Sequence, residues 1–422
     1  MLKNAVVLHL QKTSHSSFSF HDTDAGTIPC FVKTNLFVLG LCLMKIPEGY
    51  RGCANRERAR ELSLLSTEEI LTVLEEQLAW RESLAVRPVT YSTNVFVPVT
   101  NVCRNRCTYC GFVARIEQEQ ALLAPYEVNE ILDRAVVSGC KEALFTLGEE
   151  ADLASTQIAA QLKKWGYGNM VAYLRDLGEK ALAKGLFPHT NAGILSADGI
   201  ASLRHVNASM GLMLESSSLR LCQPGGPHHH CPGKVPHIRI KMIQDAGLLK
   251  VPFTTGILIG IGETRLERAD TLWDIRVLMG KYGHIQEVIV QNFRSHSGTP
   301  MVGAKEPGPE ELLHMIALAR LILGQEANIQ VAPNLVPTEM VNLLYAGAND
   351  FGGISPVTRD YINPEYPWPN LDALELASRQ SGSKLRERLP IYPEFINREG
   401  VLTARIFSLV REVVGDDGYV KE

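Results

Sequence analysis

From Asn94 onward, short runs of β-branched and apolar residues alternate with longer stretches in which apolar residues recur every three or four positions. Eight short runs stand out: Asn94–Thr100, Ala143–Leu147, Pro188–Asn191, Ala208–Leu214, Pro252–Ile259, Glu287–Phe293, Ile329–Pro333 and Asp350–Ile354. Between them, segments such as Glu127–Val137 carry an apolar stripe of helical period. Strand and helix alternating in this way is the signature of parallel βα units. Eight such units predict an α/β fold, a (β/α)8 TIM-type barrel spanning 91–388. Chemistry in such a barrel sits on the loops that leave the C-terminal strand ends, so polar residues just after each run are the candidates.

Upstream, the segment Ser66–Leu78 has a capping-type start and an apolar stripe, which predicts a helical lead-in over 51–90. Residues 1–50 form an N-terminal extension whose order and purpose the pattern leaves open, and 389–422 form a C-terminal helical segment. The apolar run Asn35–Met44 is about half of the roughly 20 residues a bilayer span needs, so no membrane segment is expected. The start also lacks the order of regions of a signal peptide. No internal repeat is visible.

Composition narrows the function classes. A chain of 422 residues with 45% hydrophobic and 21% charged content can bury one large core, and a net charge of −4 leaves no electrostatic footprint for nucleic acid. The nine cysteines are an odd number, and three fall within eight positions, which fits a reducing, cytoplasmic setting better than a disulfide framework.

Those three form Cys103-Arg-Asn-Arg-Cys107-Thr-Tyr-Cys110, a C-x3-C-x2-C triad on the loop after the first run. Three thiolates on a short loop converge on one inorganic centre, and soft sulfur suits iron-sulfur clusters and zinc alike. A cubane held by three cysteines keeps one iron open. A zinc knuckle would want a fourth ligand, for which only Cys222, Cys231 and His228 to His230, far downstream in a Gly/Pro-rich loop, are conceivable.

The cysteine loop, with Tyr109 ahead of its last cysteine, resembles that of the radical S-adenosylmethionine (SAM) superfamily. The resemblance implies a [4Fe-4S] cluster on Cys103, Cys107 and Cys110, with the open iron chelated by the amino and carboxylate groups of SAM. Gly148-Glu149 is similar to the family's glycine-rich segment at the methionine amino group. The run from Gly256 through Gly260 to Glu263 is similar to the segment along which the adenine lies. Glu215 and Arg239 occupy positions similar to a Glu and an Arg that hold SAM's amino and carboxylate ends, the planar Arg fork suiting a carboxylate. Singly, each has a plainer reading as packing or surface; order and spacing carry the likeness.

Longer phrases resemble the CofG-type subunit of 7,8-didemethyl-8-hydroxy-5-deazariboflavin synthase, from about Tyr91 to about Arg388. They are Thr93 to Cys107, Gly139 to Glu149, Pro188 to Gly193, Gln286 to Phe293 and Asn349 to Thr358. The resemblance implies a lyase of coenzyme F-420 biosynthesis. A reductant such as flavodoxin or ferredoxin feeds the cluster, SAM yields a 5′-deoxyadenosyl radical, and a hydroxybenzyl adduct of ribityl-diaminouracil closes to the deazaflavin with loss of ammonia. A CofH-type partner makes the adduct.

Residue types suit that substrate: Gln291, Asn292, Asn334, Asp350 and Ser355 offer hydrogen bonds at strand ends, and Asn191 and His189 are catalytic candidates, His189 for proton transfer. The plainer reading makes several of these helix caps or backbone partners. Ser295-His-Ser297 stands where a proline-rich turn is more usual, and Cys231 where serine is expected. The rival readings are the CofH-type partner itself, a biotin-synthase-like enzyme, and a non-catalytic zinc-binding protein.

Overall fold

A computed structural model describes residues 53–78, 87–113 and 122–421. The expected extension over 1–50, with its apolar run, lies outside the described residues. Eight parallel strands close on themselves: β1 (Val89–Thr100), β2 (Glu142–Leu147), β3 (Phe187–Asn191), β4 (Ser209–Gly211), β5 (Phe253–Ile259), β6 (Ile285–Asn292), β7 (Ile329–Gln330) and β8 (Asp350–Ile354). Closure falls on β1, whose Asn94 to Thr100 pair with Glu142 to Leu147 while Thr90, Ser92 and Thr93 pair with Asp350, Gly353 and Ile354. All eight predicted runs are strands of this barrel.

Alternation sorts side chains across each strand. On β1, Val95, Val97 and Val99 are fully buried, whereas Asn94 and Phe96 line the barrel interior. Strand β5 is buried along its whole length, as a parallel strand covered on both faces must be. The covering helices have legible ends. Arg265–Tyr282 starts in a capping box of Thr264 and Glu267 and stops at Gly283, whose φ of +65° only glycine adopts without strain. Two lead-in helices, Arg56–Leu64 and Thr67–Leu78, pack on Arg265–Tyr282 and Pro309–Leu323, and Arg56 reaches Asp270 and Asp274 across the first interface. No helix among the described residues is long and apolar enough to cross a membrane.

A ninth strand, β9 (Leu385–Glu387), pairs with Val89 to Tyr91 ahead of the stretch of β1 that pairs with β2. Three residues are too few to show a period, so the sequence pattern does not announce it. The chain leaving β9 crosses the bottom of the barrel. Arg388 donates from Nε and Nη2 to Asp350, at 2.6 and 2.9 Å, and from Nη2 to Glu287 at 3.0 Å. Ser209 and Gln286 both donate to the carbonyl of Pro390, at 2.6 and 2.8 Å. Asp350, expected at a substrate, is therefore a floor residue: it opens β8 at the N-terminal end, is fully buried and holds Arg388 and Thr90.

Two outcomes follow from this floor. Arg388→Met leaves Asp350 and Glu287 buried without their cation and is expected to cost about 3–5 kcal/mol in denaturant unfolding. Glu142, held by Ser92 Oγ at 2.6 Å, is raised from its ordinary 4.5 to about 7, first by burial and further by Glu287 and Asp350, against the pull of Arg388. The folded chain keeps a proton that the unfolded chain releases, so the stability held by protonated Glu142 is full below pH about 4.5 and lost as pH rises through about 7. Glu142→Gln, a neutral isostere, is expected to melt increasingly higher than the parent as pH goes from about 5 to about 8.

Candidate active site

The loop after β1 carries the cysteines, and two neighbouring loops shape it. Gly148, at the end of β2, touches it directly: a Cβ there would fall 1.9 Å from Val102 O and 2.7 Å from Cys103 Cβ. That contact lets the N–H of Glu149 reach Cys103 Sγ at 3.2 Å, beside the N–H of Asn105 at 3.4 Å. From the other side, the Gly/Pro-rich loop after β4 accepts from Arg106 N at His230 O and from Thr108 N at Pro227 O, both 3.2 Å. Asn105 Oδ1 in turn accepts from Gly233 N at 2.9 Å.

All three cysteines line one cavity of about 190 Å³, and none of them is in a disulfide. Burial pushes Cys103 up and Cys110 to about 12, whereas the thiol of Cys231, 3.6 Å from Cys107 Sγ, donates to Cys107 and holds it down. Buried thiols of this kind need a positively charged inorganic centre to become thiolates. Among the described residues, no three His, Cys, Asp or Glu side chains form a site for a single metal ion.

Glu149 and Arg239 form the wall beyond Cys103. Both are almost fully buried, 3.2 Å apart between Oε2 and Nη1. Arg239 also donates to Met213 O at 2.7 Å and Gly233 O at 2.9 Å, which fixes its plane. Glu149 Oε1 has no partner. Two glycines press on this carboxylate: a Cβ at Gly233 would lie 1.4 Å from Oε1, and one at Gly193, with φ +69°, 2.5 Å from Cγ. A buried orphan oxygen beside a fixed guanidinium is a ready seat for a zwitterion, an ammonium on one and a carboxylate on the other.

Glu215 forms the opposite wall. Its φ of +63° is a strained conformation for a residue with a Cβ, held because Glu215 N bonds Gly256 O and Leu258 N bonds Glu215 O. Lys234 Nζ lies 2.5 Å from Oε1, and Tyr109 donates to Oε2 with His228 Nε2 at 3.3 Å from the same oxygen. Burial pushes this carboxyl up, but Lys234, His228 and Arg239 outweigh it and hold Glu215 well below the ordinary carboxylate range. The sequence offers His228 only as a conceivable zinc ligand and gives no sign of Lys234, because nothing in one sequence ties the run His228-His-His-Cys-Pro-Gly-Lys234 to Glu215.

The predicted adenine segment sits differently. Gly256 makes room for Ile289 O and Met213 Cε, Gly260 (φ +94°) for Pro307, and neither lines the cavity; Leu258 does. Glu263 turns inward to its own loop, accepting from Gly260 N at 2.7 Å and Ile261 N at 2.9 Å while paired with Arg268 at 2.6 Å. Its carboxylate is spent on the backbone turn.

A second cavity of about 190 Å³ fills the barrel interior and shares Thr146, Asn191, Met213, Gln291, Ile362 and Asn363 with the first. Asn191 and Gln291 thus stand where the two meet, Asn292 lines the cysteine side, and Asn334 lines the barrel side with Nδ2 on Asp360 at 3.0 Å and Oδ1 orphaned. Ser355 lines neither cavity: its Oγ serves the N–H of Thr358 at 3.0 Å in a local turn. His189 lies within the barrel. Burial, with the Arg388 charge, brings it down to about 3, so it is neutral near pH 7 and does not carry a proton to donate as imidazolium.

Comparison with known proteins agrees with this geometry. Residues 97–275 match the model of the radical SAM superfamily. The 7,8-didemethyl-8-hydroxy-5-deazariboflavin synthase of Methanopyrus kandleri is 48% identical over 335 residues, 79% of this chain and 100% of the relative. The synthase of the same name from Methanocaldococcus jannaschii is 45% identical, covering 86% of this chain and 99% of its own. The chain belongs to the 7,8-didemethyl-8-hydroxy-5-deazariboflavin synthase family. Among solved structures, methylornithine synthase shares the fold at TM-score 0.61 and 20% identity over 80% of this chain and 95% of its own. The hydrogenase maturase HydG from Carboxydothermus hydrogenoformans does so at 0.63 and 16%, over 85% and 86%.

As a radical SAM member of this synthase family, the chain is an enzyme that uses a [4Fe-4S] cluster and SAM, takes a small-molecule substrate and needs a reductant. The residues fit those groups: three convergent soft donors, an orphaned Glu149 oxygen and glycine backbones at close approach. After anaerobic reconstitution, Cys107→Ala is expected to lose most of its iron and acid-labile sulfide, while Cys231→Ser keeps both. Zinc without iron in the parent would sink the cluster assignment.

Proposed function

We propose that this chain catalyses the ring-closing half of deazaflavin synthesis. It converts the 5-amino-5-(4-hydroxybenzyl)-6-(ribitylimino)uracil adduct to 7,8-didemethyl-8-hydroxy-5-deazariboflavin and releases ammonia, a net two-electron oxidation in which SAM is the oxidant and ends as methionine and 5′-deoxyadenosine. The observation that carries this reading is the joining of the cysteine-lined cavity to a polar barrel cavity through Asn191 and Gln291.

Cys103, Cys107 and Cys110 would hold the cluster, and Glu149 and Arg239 the amino and carboxylate groups of SAM. When bound, cluster and SAM together supply hydrogen-atom abstraction from the substrate. The chain's own residues bind, orient and shield. Tyr109, His228 and Lys234 lock Glu215 and so fix the wall against which the nucleoside lies. Asn191 and Gln291 orient the polar edge of the uracil at the junction. His189, neutral and buried, serves as a hydrogen-bond acceptor rather than as the acid in ammonia loss. Burial of both cavities under the βα loops keeps water and stray hydrogen donors from the reacting atoms.

A CofH-type partner supplies the adduct, and a flavodoxin or ferredoxin in the cytoplasm supplies the electron. The test is anaerobic reconstitution, reduction with SAM and the adduct, and chromatography for 5′-deoxyadenosine and fluorescent deazaflavin. Both products are expected, and both are lost in Cys103→Ala. Deoxyadenosine without deazaflavin would remove the substrate assignment and leave the radical SAM chemistry standing.

A further inference from the structure

The barrel cavity runs from the junction down to the Arg388 floor, and its lining changes with depth. Alternate residues line it in tiers: Glu142, Leu144 and Thr146 on β2, Glu287, Ile289 and Gln291 on β6. Of these, only Thr146 and Gln291 also face the cysteine cavity. Four residues at about 3.3 Å each separate the lowest tier from the highest by ~13 Å, room for an extended sugar-alcohol chain.

The polar atoms of the lower tiers include acceptors and, in the carboxyl of Glu142 and the amide of Asn94, donors. Glu142 receives Ser92 on Oε2, and its Oε1, without a partner among the described residues, donates while the carboxyl keeps its proton and accepts once it is lost. Ser209 gives its one hydroxyl proton to Pro390 O, so the 2.7 Å contact with His189 Nδ1 must use a proton on that nitrogen. The lone pair of His189 Nε2 is left facing Gly211, where a Cβ would lie 2.9 Å away. Gln330 anchors Nε2 on Val331 O at 3.4 Å and buries an orphaned Oε1. Arg388 spends four of its five N–H groups on Asp350, Glu287 and Leu389 O, which ties the local cation to the floor. Such a site calls for a ligand with several hydroxyl groups, each able to donate and accept, and no negative charge, since Glu287 and Asp350 stand beneath it.

We propose that the lower barrel is a polyol pocket: it takes the ribityl chain of the substrate, hydroxyls to Glu142, His189 and Gln330, and thereby sets the uracil and hydroxybenzyl end at the Asn191–Gln291 junction. The proposal rests on the substrate assigned above and adds its orientation. It also makes the pocket select the unphosphorylated chain, so a phosphate-removing step precedes this enzyme.

The test is anaerobic calorimetry on the reconstituted enzyme with three compounds: 5-amino-6-(ribitylamino)uracil, its 5′-phosphate, and the analogue carrying a plain pentyl chain. The ribityl compound is expected to bind at least about tenfold tighter than either other. Gln330→Met is expected to weaken the ribityl compound about tenfold and leave the pentyl analogue unchanged, a coupling that general damage to the fold would not produce. Iron content and melting temperature of the variant serve as controls, and the ligand comparison on the parent enzyme needs no variant. Equal binding of ribityl and pentyl compounds, tight binding of the phosphate, or no binding of the ribityl compound by an enzyme that makes deazaflavin would overturn the orientation alone. Failure of the parent to make deazaflavin from the adduct would instead overturn the function.

Discussion

The guanidinium of Arg388 is the constraint on which the rest of the barrel depends. It joins β6 through Glu287, β8 through Asp350 and the crossing segment through Leu389, all in one buried fork. A chain that merely ended after β8 would leave the bottom of the barrel open to water. Here the segment from β9 to Tyr392 seals it, with Pro390 O accepting from β4 and β6 and Tyr392 OH donating to Glu287 at 3.1 Å. Burial, with one cation among three carboxyls and Glu287 and Asp350 close by, pushes Glu142 up to about 7. The floor is therefore both a stability device and the source of the interior's carboxyl-rich character.

With the bottom closed, the interior opens only toward the loops, and the cysteine loop is placed there by backbone contact rather than by side-chain packing. Gly148 allows the end of β2 to touch Val102, and the loop around Pro227 to His230 braces the opposite side. The strained φ of Glu215 belongs to the same construction. Its backbone stays bridged to β5 while its carboxylate reaches Lys234 and Tyr109, and the ion pairs offset a conformation that costs on the order of 1–3 kcal/mol. Stiffness of this kind is what a site handling a reactive intermediate requires, because small displacements open paths to unwanted hydrogen donors.

Much of this was legible in the sequence, and the failures have a common cause. The eight strands show as β-branched runs because both faces of each are buried, and the cysteine spacing is local. Direction is not local. Glu263, Asp350 and Ser355 all stand at strand ends, where polar residues read as site residues, yet Glu263 folds back on Gly260, Asp350 sits at the opposite end of the barrel and Ser355 closes a turn. Only the partners, Arg268, Arg388 and Thr358, reveal this, and two of them are apart from motif positions. Conversely, Lys234 and His228 reach the site through a loop whose course is set by Asn105, over a hundred residues earlier.

The two cavities divide the chemistry between them. The upper one is built from thiols, an ion-paired wall and glycine contacts, all of which suit charged groups held rigidly; the lower one offers amide, imidazole and carboxyl groups above the Arg388 floor, which suit an uncharged polyol. A hydrogen-abstracting reaction needs its target to present one bond and no other. If the polar tail of the substrate is gripped below, binding energy gained far from the reacting carbon fixes that carbon at the junction, which is how remote contacts become selectivity. The boundary where Asn191 and Gln291 line both cavities is then where the reacting end of the substrate must fit, with its position set from below by the Arg388 floor and from above by the cysteine loop.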